Sequence, residues 1–388
     1  MEQTLFLLLQ SEFCDLALSK EQVEGLKSQL GEEQLKQLYA LSKNHDLAHV
    51  VSKALFAYNV ISEENKIGRA FRKEEMLAFF RYENQQHELE KICTVFDDNG
   101  IDYLALKGAV IRDYYENPYL RAGCDIDILV KKHDLKKAVA NLVERLGYLA
   151  DENKGFHDQT LHSPSEVTIE LHFSLEEGVE NLDNLLTDAW NYATLKGENN
   201  HQHQFSSEFL IAHHVCHMAY HFINGGCGIK PFIDLKILLT KLKFDQKFLD
   251  DLLQKANLQE FYKGVCSLLE VWLGKNTHTQ LTKEMSQFIL QGGVYGSKEN
   301  SIAVSHAKNK GKTGHFFSRI FLPYNKLKVE FPVLEKQKWL FPFCQIARWF
   351  RAVFTKKNKK VKQEMQISKS ISKESNLATK NMLNELGL

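Results

Sequence analysis

Apolar residues recur at helical spacing from Leu5 to about Ile67, with Leu26, Leu30, Leu35 and Leu38 as repeated positions and polar residues between them. Asn44 to Asp46 mark a turn, and Ser62-Glu63-Glu64 offers an N-cap for the next helix. A long helix is expected from about Glu74 to Asp98. Its Leu89, Ile92 and Phe96 form a stripe at i, i+3 and i+7, and Asn99-Gly100 stops it. The pattern then changes. Ile101 to Leu106 is a short β-prone run ended by Lys107-Gly108, a helical stretch covers Ala109 to Tyr115, and Asn117-Pro118 breaks it. Asp125 to Val130 (DIDILV) and Val167 to Phe173 (VTIELHF) alternate as strands do, and Leu135 to Leu146 is an amphipathic helix closed by Gly147. Strand, helix, strand, helix and further strands make a small α/β unit of roughly a hundred residues. After about Leu182 the helical pattern returns over Ser207 to Phe222, Phe232 to Leu242 and Phe248 to Leu273. Gly292-Gly293 and Gly296 punctuate a loop, and Pro323, Pro332 and Pro342 break an aromatic-rich stretch. Lys356 to Lys362 is a basic run, and Asn376 to Leu388 reads as a polar helix or tail. The expected boundaries are a helical region over 1–88, the α/β core over 89–180, a helical domain over 181–300 and a helical end with a basic polar tail over 301–388. The fold class is α+β.

Composition narrows the function. The 388 residues carry 49 Lys+Arg against 49 Asp+Glu, so nothing suggests a chain that grips nucleic acid through global basicity. A hydrophobic share of 44% suffices for a core without disulfides or structural metal. The seven cysteines show no CxxC pair and read as free thiols of a reducing compartment. The apolar run Leu5 to Leu9 has no basic residues before it and Glu12 after it, which fits neither a secretory signal nor a membrane span. A cytoplasmic protein is expected.

The chemistry concentrates between Leu104 and Val130, LALKGAVIRDYYENPYLRAGCDIDILV. Asp125 and Asp127, at i and i+2 on a strand, project from one face while Ile126, Ile128 and Val130 point into the core. Paired carboxylates repel unless a cation lies between them, and such hard oxygen ligands suit Mg²⁺. Glu170 is the candidate third carboxylate. Val167, Ile169 and Leu171 face the core, so Glu170 and His172 share the opposite face. Gly108, at a strand-to-helix turn, permits close approach of a phosphate, and Lys107 supplies a point charge beside it. The competing reading is that the acids are only the solvated edge of a half-exposed strand.

This order of glycine turn, Asp-x-Asp strand and later acidic strand resembles the DNA polymerase β-like nucleotidyltransferase superfamily. The LKG turn, the Arg before GCDIDILV and the helix ending in GY are most similar to an uncharacterised nucleotidyltransferase family often found in bacterial biosynthetic and polysaccharide clusters. GGCGIKPFIDLKILL and FPVLEKQKWLFPFCQIARWF resemble its helical portions. The resemblance implies metal at Asp125, Asp127 and Glu170, with phosphate at Gly108. It implies transfer of a nucleotidyl group from an NTP to a hydroxyl or phosphate acceptor, with Mg²⁺ or Mn²⁺ as cofactor. The acceptor would be a small molecule, a glycan-pathway intermediate or a protein. The superfamily's usual Gly-Ser turn is here Lys-Gly followed by Ala109, so Lys107 would replace the serine hydroxyl. A nucleotidyltransferase-type toxin modifying tRNA or protein, and a weakened nucleotide-binding module, are the alternatives.

Further residues carry two readings each. Arg121 could grip a triphosphate or fix its loop through a salt bridge. His172 could orient Glu170 or the acceptor, or be an ordinary hydrogen-bonded histidine. His213, His217 and His221 lie at i, i+4 and i+8, a spacing that can bind a transition metal. No cysteine or carboxylate is spaced to complete such a site, so packing beside the active site is the preferred reading. Lys230 and Asp234 could help bind nucleotide or form a charge pair at a helix start. The stretch WLFPFCQIARWFRAVFTKKNKKVK could lie on a membrane surface or touch RNA, but a core-packing helix with a solvated basic end is preferred.

Overall fold

The computed structural model describes residues 1–14, 16–152, 155, 157–197, 200–294, 296–308, 324, 327, 331–354, 366–368 and 371–388. The chain divides into a larger unit, Met1–Tyr220 with Ile229–His278, and a smaller one, His221–Gly228 with Thr279–Leu388. The fold is mixed α+β, a five-stranded sheet among helices.

The larger unit opens with helices α1 (Glu2–Phe13), α2 (Lys20–Gln29), α3 (Glu32–Asn44) and α4 (Ala48–Ala57). Leu26, Leu30, Leu35 and Leu38 are buried, as their spacing requires. The long helix α5 runs from Lys66 to Asp98, starting more than two turns earlier than expected. Asn65 rather than Ser62 caps it, its side chain accepting from the Gly68 N–H at 2.6 Å. The polar residues of its first turns concealed the start.

The sheet is built from β1 (Tyr103–Ala105), β2 (Asp125–Val130), β3 (Leu149–Ala150), β4 (Asp158–His162) and β5 (Thr168–His172), in the order β1-β2-β5-β4-β3. Only the β2–β5 pairing is parallel. One face is apolar: Ile126, Ile128, Val130, Ile169 and Leu171 pack on Ile92, Val95 and Phe96 of α5. Leu135, Ala138 and Leu142 of α7 (Leu135–Leu146) complete this core. Gly147 ends α7 with φ 70°, a left-handed position that suits glycine. The other face of β2 and β5 carries the acids. Between β1 and β2 the helical stretch expected over Ala109 to Tyr115 is present as the short α6 (Gly108–Ile111) running into a 3₁₀ turn, and a second 3₁₀ turn starts at Pro118.

Beyond the sheet come α8 (Glu180–Leu186), the hairpin β6 (Ala193–Leu195) and β7 (His203–Phe205), α9 (Ser207–Ile223) and α10 (Lys230–Lys241). The expected helix from Phe248 to Leu273 is in fact two, α11 (Gln246–Lys255) and α12 (Gln259–Trp272). Asn257, at φ 54°, breaks it. Leu253, Ala256, Leu258 and Phe261 are buried on both sides of the break, so apolar spacing alone could not reveal it.

In the smaller unit, α13 (Gln280–Gly292) and α14 (Lys298–Lys308) are joined by α15 (Phe341–Phe354) and α16 (Lys373–Glu385). Of the two readings of the chain's end, helix or tail, the structure shows the helix. Ser372 caps α16, which packs on α13 and α14 and buries Met382 and Leu383, with Leu386 buried just beyond it. α15 packs Phe341 and Cys344 against Leu327 and Leu334, in keeping with the preferred reading of a core-packing helix. The basic run Lys356 to Lys362 lies outside the described residues. Among the described residues no helix is long and apolar enough to cross a membrane. None of the seven cysteines is in a disulfide.

Candidate active site

Strand pairing places the acids. The Leu106 N–H donates to the Asp127 carbonyl at 2.9 Å, so the chain leaves β1 with Lys107 beside β2. Lys107 adopts φ 45° and ψ −123°, a left-handed conformation that costs a non-glycine residue about 1–3 kcal/mol. Its Nζ donates to Asp127 Oδ1 at 2.7 Å. In the parallel register Asp127 lies opposite Glu170. His172, two residues along β5 on the same face, places Nε2 2.8 Å from Asp127 Oδ1 and 3.5 Å from Glu170 Oε2. Ligand atoms of Asp127, Glu170 and His172 therefore lie within 4.8 Å of one another, close enough to hold a metal ion. Asp125 stands outside this trio, two residues earlier on β2 and opposite Thr168. Among the described residues no other group of three or more His, Cys, Asp or Glu forms such a cluster.

The charges in this site do not balance. Burial alone would raise the Asp127 pKa, but Lys107 and His172 outweigh it and hold the carboxyl well below its ordinary value. The reverse holds at Asp125, where burial and then the charges of Asp127 and Glu170 push the pKa up. Burial would also lower His172, yet its bonds to Asp127 and Glu170 raise it. Three carboxylates thus face one ammonium and one imidazole. The donor chemistry fits a divalent cation, because carboxylate oxygens are the ligands Mg²⁺ and Mn²⁺ prefer and added positive charge would relieve Asp125.

A second charged cluster fixes the loop that feeds β2. Arg121 Nε donates to both oxygens of fully buried Asp234, at 2.7 and 2.8 Å, and its Nη1 donates to the Ala122 carbonyl at 3.0 Å. Burial would lower the Arg121 pKa, but Asp234 holds it above its ordinary value. The Tyr115 hydroxyl also donates to Asp234, at 2.6 Å. Lys230 Nζ donates to Asp46 at 2.6 Å and to the Ala122 carbonyl at 2.9 Å, while His49 Nε2 meets the Leu120 carbonyl at 2.9 Å. Of the two readings that Arg121 and Lys230 each carried, phosphate binding or a structural charge pair, the structure shows both cations held by protein acceptors. Asp234 pairs with Arg121 and not with Lys230. The reason lies in chain packing: α10 presents both residues to a loop whose carbonyls and cations need partners.

A family of uncharacterised nucleotidyltransferases matches residues 31–274. The chain belongs to that family. No curated protein and no solved structure matches it. The match covers most of the larger unit, including the sheet, the Lys107-Gly108 turn and α10.

Within the nucleotidyltransferase core lie braces with little local signature. Buried Arg112 donates through Nε to the Gly108 carbonyl and through Nη2 to Gln85 Oε1, both at 2.9 Å. Burial, and then the neighbouring Arg121, push the Arg112 pKa down to about 10. Gln85 in turn donates to the Gly123 carbonyl at 3.2 Å, so α5 joins the glycine turn to the entry of β2. The only available signal was a charged residue in an apolar helical stretch. His157 stacks on His172 with ring centroids 5.4 Å apart, and burial followed by His172 pushes its pKa down. Gly108 sits close to the Arg121 guanidinium: an added Cβ would meet Nη1 at 3.2 Å. On α9, buried His213 lies parallel to Phe209, and His217 Nδ1 is 3.3 Å from Glu177 Oε1. Burial, then Lys107, push His213 down to about 3.

Proposed function

We propose that this nucleotidyltransferase moves an NMP from an NTP to a hydroxyl or phosphate acceptor. The acceptor oxygen bonds to the α-phosphorus, the bond to the β-phosphate oxygen breaks, and pyrophosphate leaves. The observation that carries this reading is the Asp127–Glu170 register beside Lys107-Gly108, with Asp125 on the same face. Asp127 and Glu170, with Asp125 or His172, would hold Mg²⁺ or Mn²⁺. The ion supplies charge neutralisation at the phosphoryl oxygens and a lower pKa for the acceptor. Lys107 binds the triphosphate as a point charge, and Gly108 lets the backbone approach it. Glu170, partly exposed, accepts the acceptor's proton, and His172 holds Asp127 in place. Free thiols accord with a cytoplasmic setting.

The Lys107–Asp127 ion pair supports a second reading, a nucleotide-binding module in which an internal cation occupies the acids. The two separate on incubation with labelled ATP, CTP, GTP and UTP plus Mg²⁺ or Mn²⁺. Pyrophosphate release or self-labelling that disappears in Asp125→Asn and Asp127→Asn supports transfer. Binding without turnover supports the module. A chain that binds no nucleotide with either metal overturns both.

A further inference from the structure

The sequence pattern puts Asp125 beside Asp127 and Glu170 as a ligand, but the atoms that converge with those two acids belong to His172. Strand register decides this. Glu170 lies opposite Asp127, whereas Asp125 lies opposite Thr168, two residues short of the meeting point. His172, two residues after Glu170, returns to the same face of β5, paired with Leu129 of β2 and Asp158 of β4. Its Nε2 is the atom that faces both acids, 2.8 Å from Asp127 Oδ1 and 3.5 Å from Glu170 Oε2. The ring has little freedom to turn elsewhere. Its side chain is 5% exposed, and His157 stacks on it at an interplanar angle of 21°.

An imidazole nitrogen changes which ion such a site favours. Mg²⁺ takes oxygen ligands in near-ideal octahedral geometry and dehydrates reluctantly, so a nitrogen in place of an oxygen weakens its hold. First-row transition ions accept imidazole beside carboxylate, and one nitrogen among the ligands raises their affinity relative to Mg²⁺. A nitrogen aimed at a cation's seat helps only through its lone pair, because an N–H there would turn its positive end toward the ion. We infer that His172 binds the ion directly through Nε2, and that the site takes Mn²⁺, as a first-row transition ion, in preference to Mg²⁺. This rests on the reading of Asp127 and Glu170 as metal ligands. Without an ion the same nitrogen holds Asp127.

The test uses Mn²⁺ or Mg²⁺ alone, added to the full-length protein after chelation and without nucleotide. Calorimetric titration should show Mn²⁺ bound at least about tenfold tighter than Mg²⁺. Pulsed electron paramagnetic resonance of the Mn²⁺-loaded chain should show coupling to a directly bound imidazole nitrogen. His172→Gln should lose that coupling, and its preference for Mn²⁺ over Mg²⁺ should fall about tenfold or more. A histidine that only positions Asp127 would lower both affinities together and give no nitrogen coupling in wild type. The wild-type spectrum stands on its own if the variant does not fold. The inference is overturned by a wild-type chain that binds no Mn²⁺, or by Mn²⁺ bound without nitrogen coupling. Coupling that persists in His172→Gln overturns it too, as does Mg²⁺ bound as tightly as Mn²⁺. None of these readouts needs an NTP or an acceptor. Pyrophosphate release with Mg²⁺ in a chain that shows no nitrogen coupling would sink this inference and leave nucleotidyl transfer standing. Nitrogen-bound Mn²⁺ in a chain that releases no pyrophosphate would do the reverse.

Discussion

Two buried charge clusters flank the loop from Leu120 to Asp125, and they are built to opposite rules. Around Arg121 every charge has a fixed protein partner: Arg121 with Asp234, Lys230 with Asp46, and the loop carbonyls with Arg121, Lys230 and His49. Around Asp127 the carboxylates outnumber their cations, and burial together with the charges of Asp127 and Glu170 raises the Asp125 pKa. A balanced cluster spends its electrostatics on geometry. An unbalanced one keeps a capacity to bind charge, which is why perturbed carboxylates mark candidate sites. Here the first cluster holds the entrance to the strand that carries the second.

Substitutions should separate the two. Asp127→Asn should reduce nucleotidyl transfer about a thousandfold, roughly 4 kcal/mol of transition-state stabilisation, with a much smaller change in urea-unfolding free energy. Steady-state pyrophosphate release and urea titration on the same preparation measure both. If stability falls as far as activity, Asp127 belongs with the balanced cluster. Asp234→Asn should do the reverse, leaving Arg121 buried without its counter-charge at a cost of about 3 kcal/mol in stability. Its turnover number, measured well below the melting temperature, should stay within a few-fold of wild type.

The unbalanced cluster was largely legible in the sequence and the balanced one was not. Asp125, Asp127, Glu170 and His172 sit on regular strands, where a period of two fixes which face each residue takes. Local spacing was therefore enough to put them on one surface. For Arg121 and Lys230 the sequence left phosphate binding and a structural charge pair both open, because a lone cation beside an acidic motif has no visible partner until the chain folds. Their partners Asp234 and Asp46 are more than a hundred residues away, and only tertiary packing supplies them. The same limit hid β4, whose polar DQTLH has no apolar alternation, and the division at Asn257, where burial is continuous across the break. It also concealed the Arg112–Gln85 brace, since a buried arginine has no local signature. The matched family covers the region where local pattern worked best, and α15 lies beyond it.

Lys107 belongs to the unbalanced cluster but stands on a strained backbone, so two substitutions can divide its roles. Lys107→Met and Lys107→Gly both remove the ammonium and should weaken NTP binding about tenfold or more, seen by calorimetry. Glycine accepts φ 45° freely, so Lys107→Gly should be more stable than Lys107→Met by about 1 kcal/mol. Equal stabilities would mean that the conformation carries no strain worth relieving.

The histidines offer a finer test, because His49 and His172 are shifted in opposite directions. His49 is buried beside the Leu120 carbonyl, and burial lowers its pKa. Stability from keeping it neutral is present above its unfolded pKa, about 6.5, and is lost as pH falls toward the folded value. His213 and His214 are lowered in the same way and add to that acid loss. His172 is raised, so its contribution is present below about pH 6.5 and is lost as pH rises through its folded pKa. Each group changes the unfolding free energy by about 1.4 kcal/mol per pH unit within its own window. Urea titrations across this range, without added metal, should show stability falling on both sides. His49→Gln should flatten part of the acid limb alone, and His172→Gln the alkaline limb alone. If the alkaline limb persists in His172→Gln, the Asp127–His172 pair is not its source, and the site would hold its histidine neutral as the balanced cluster does.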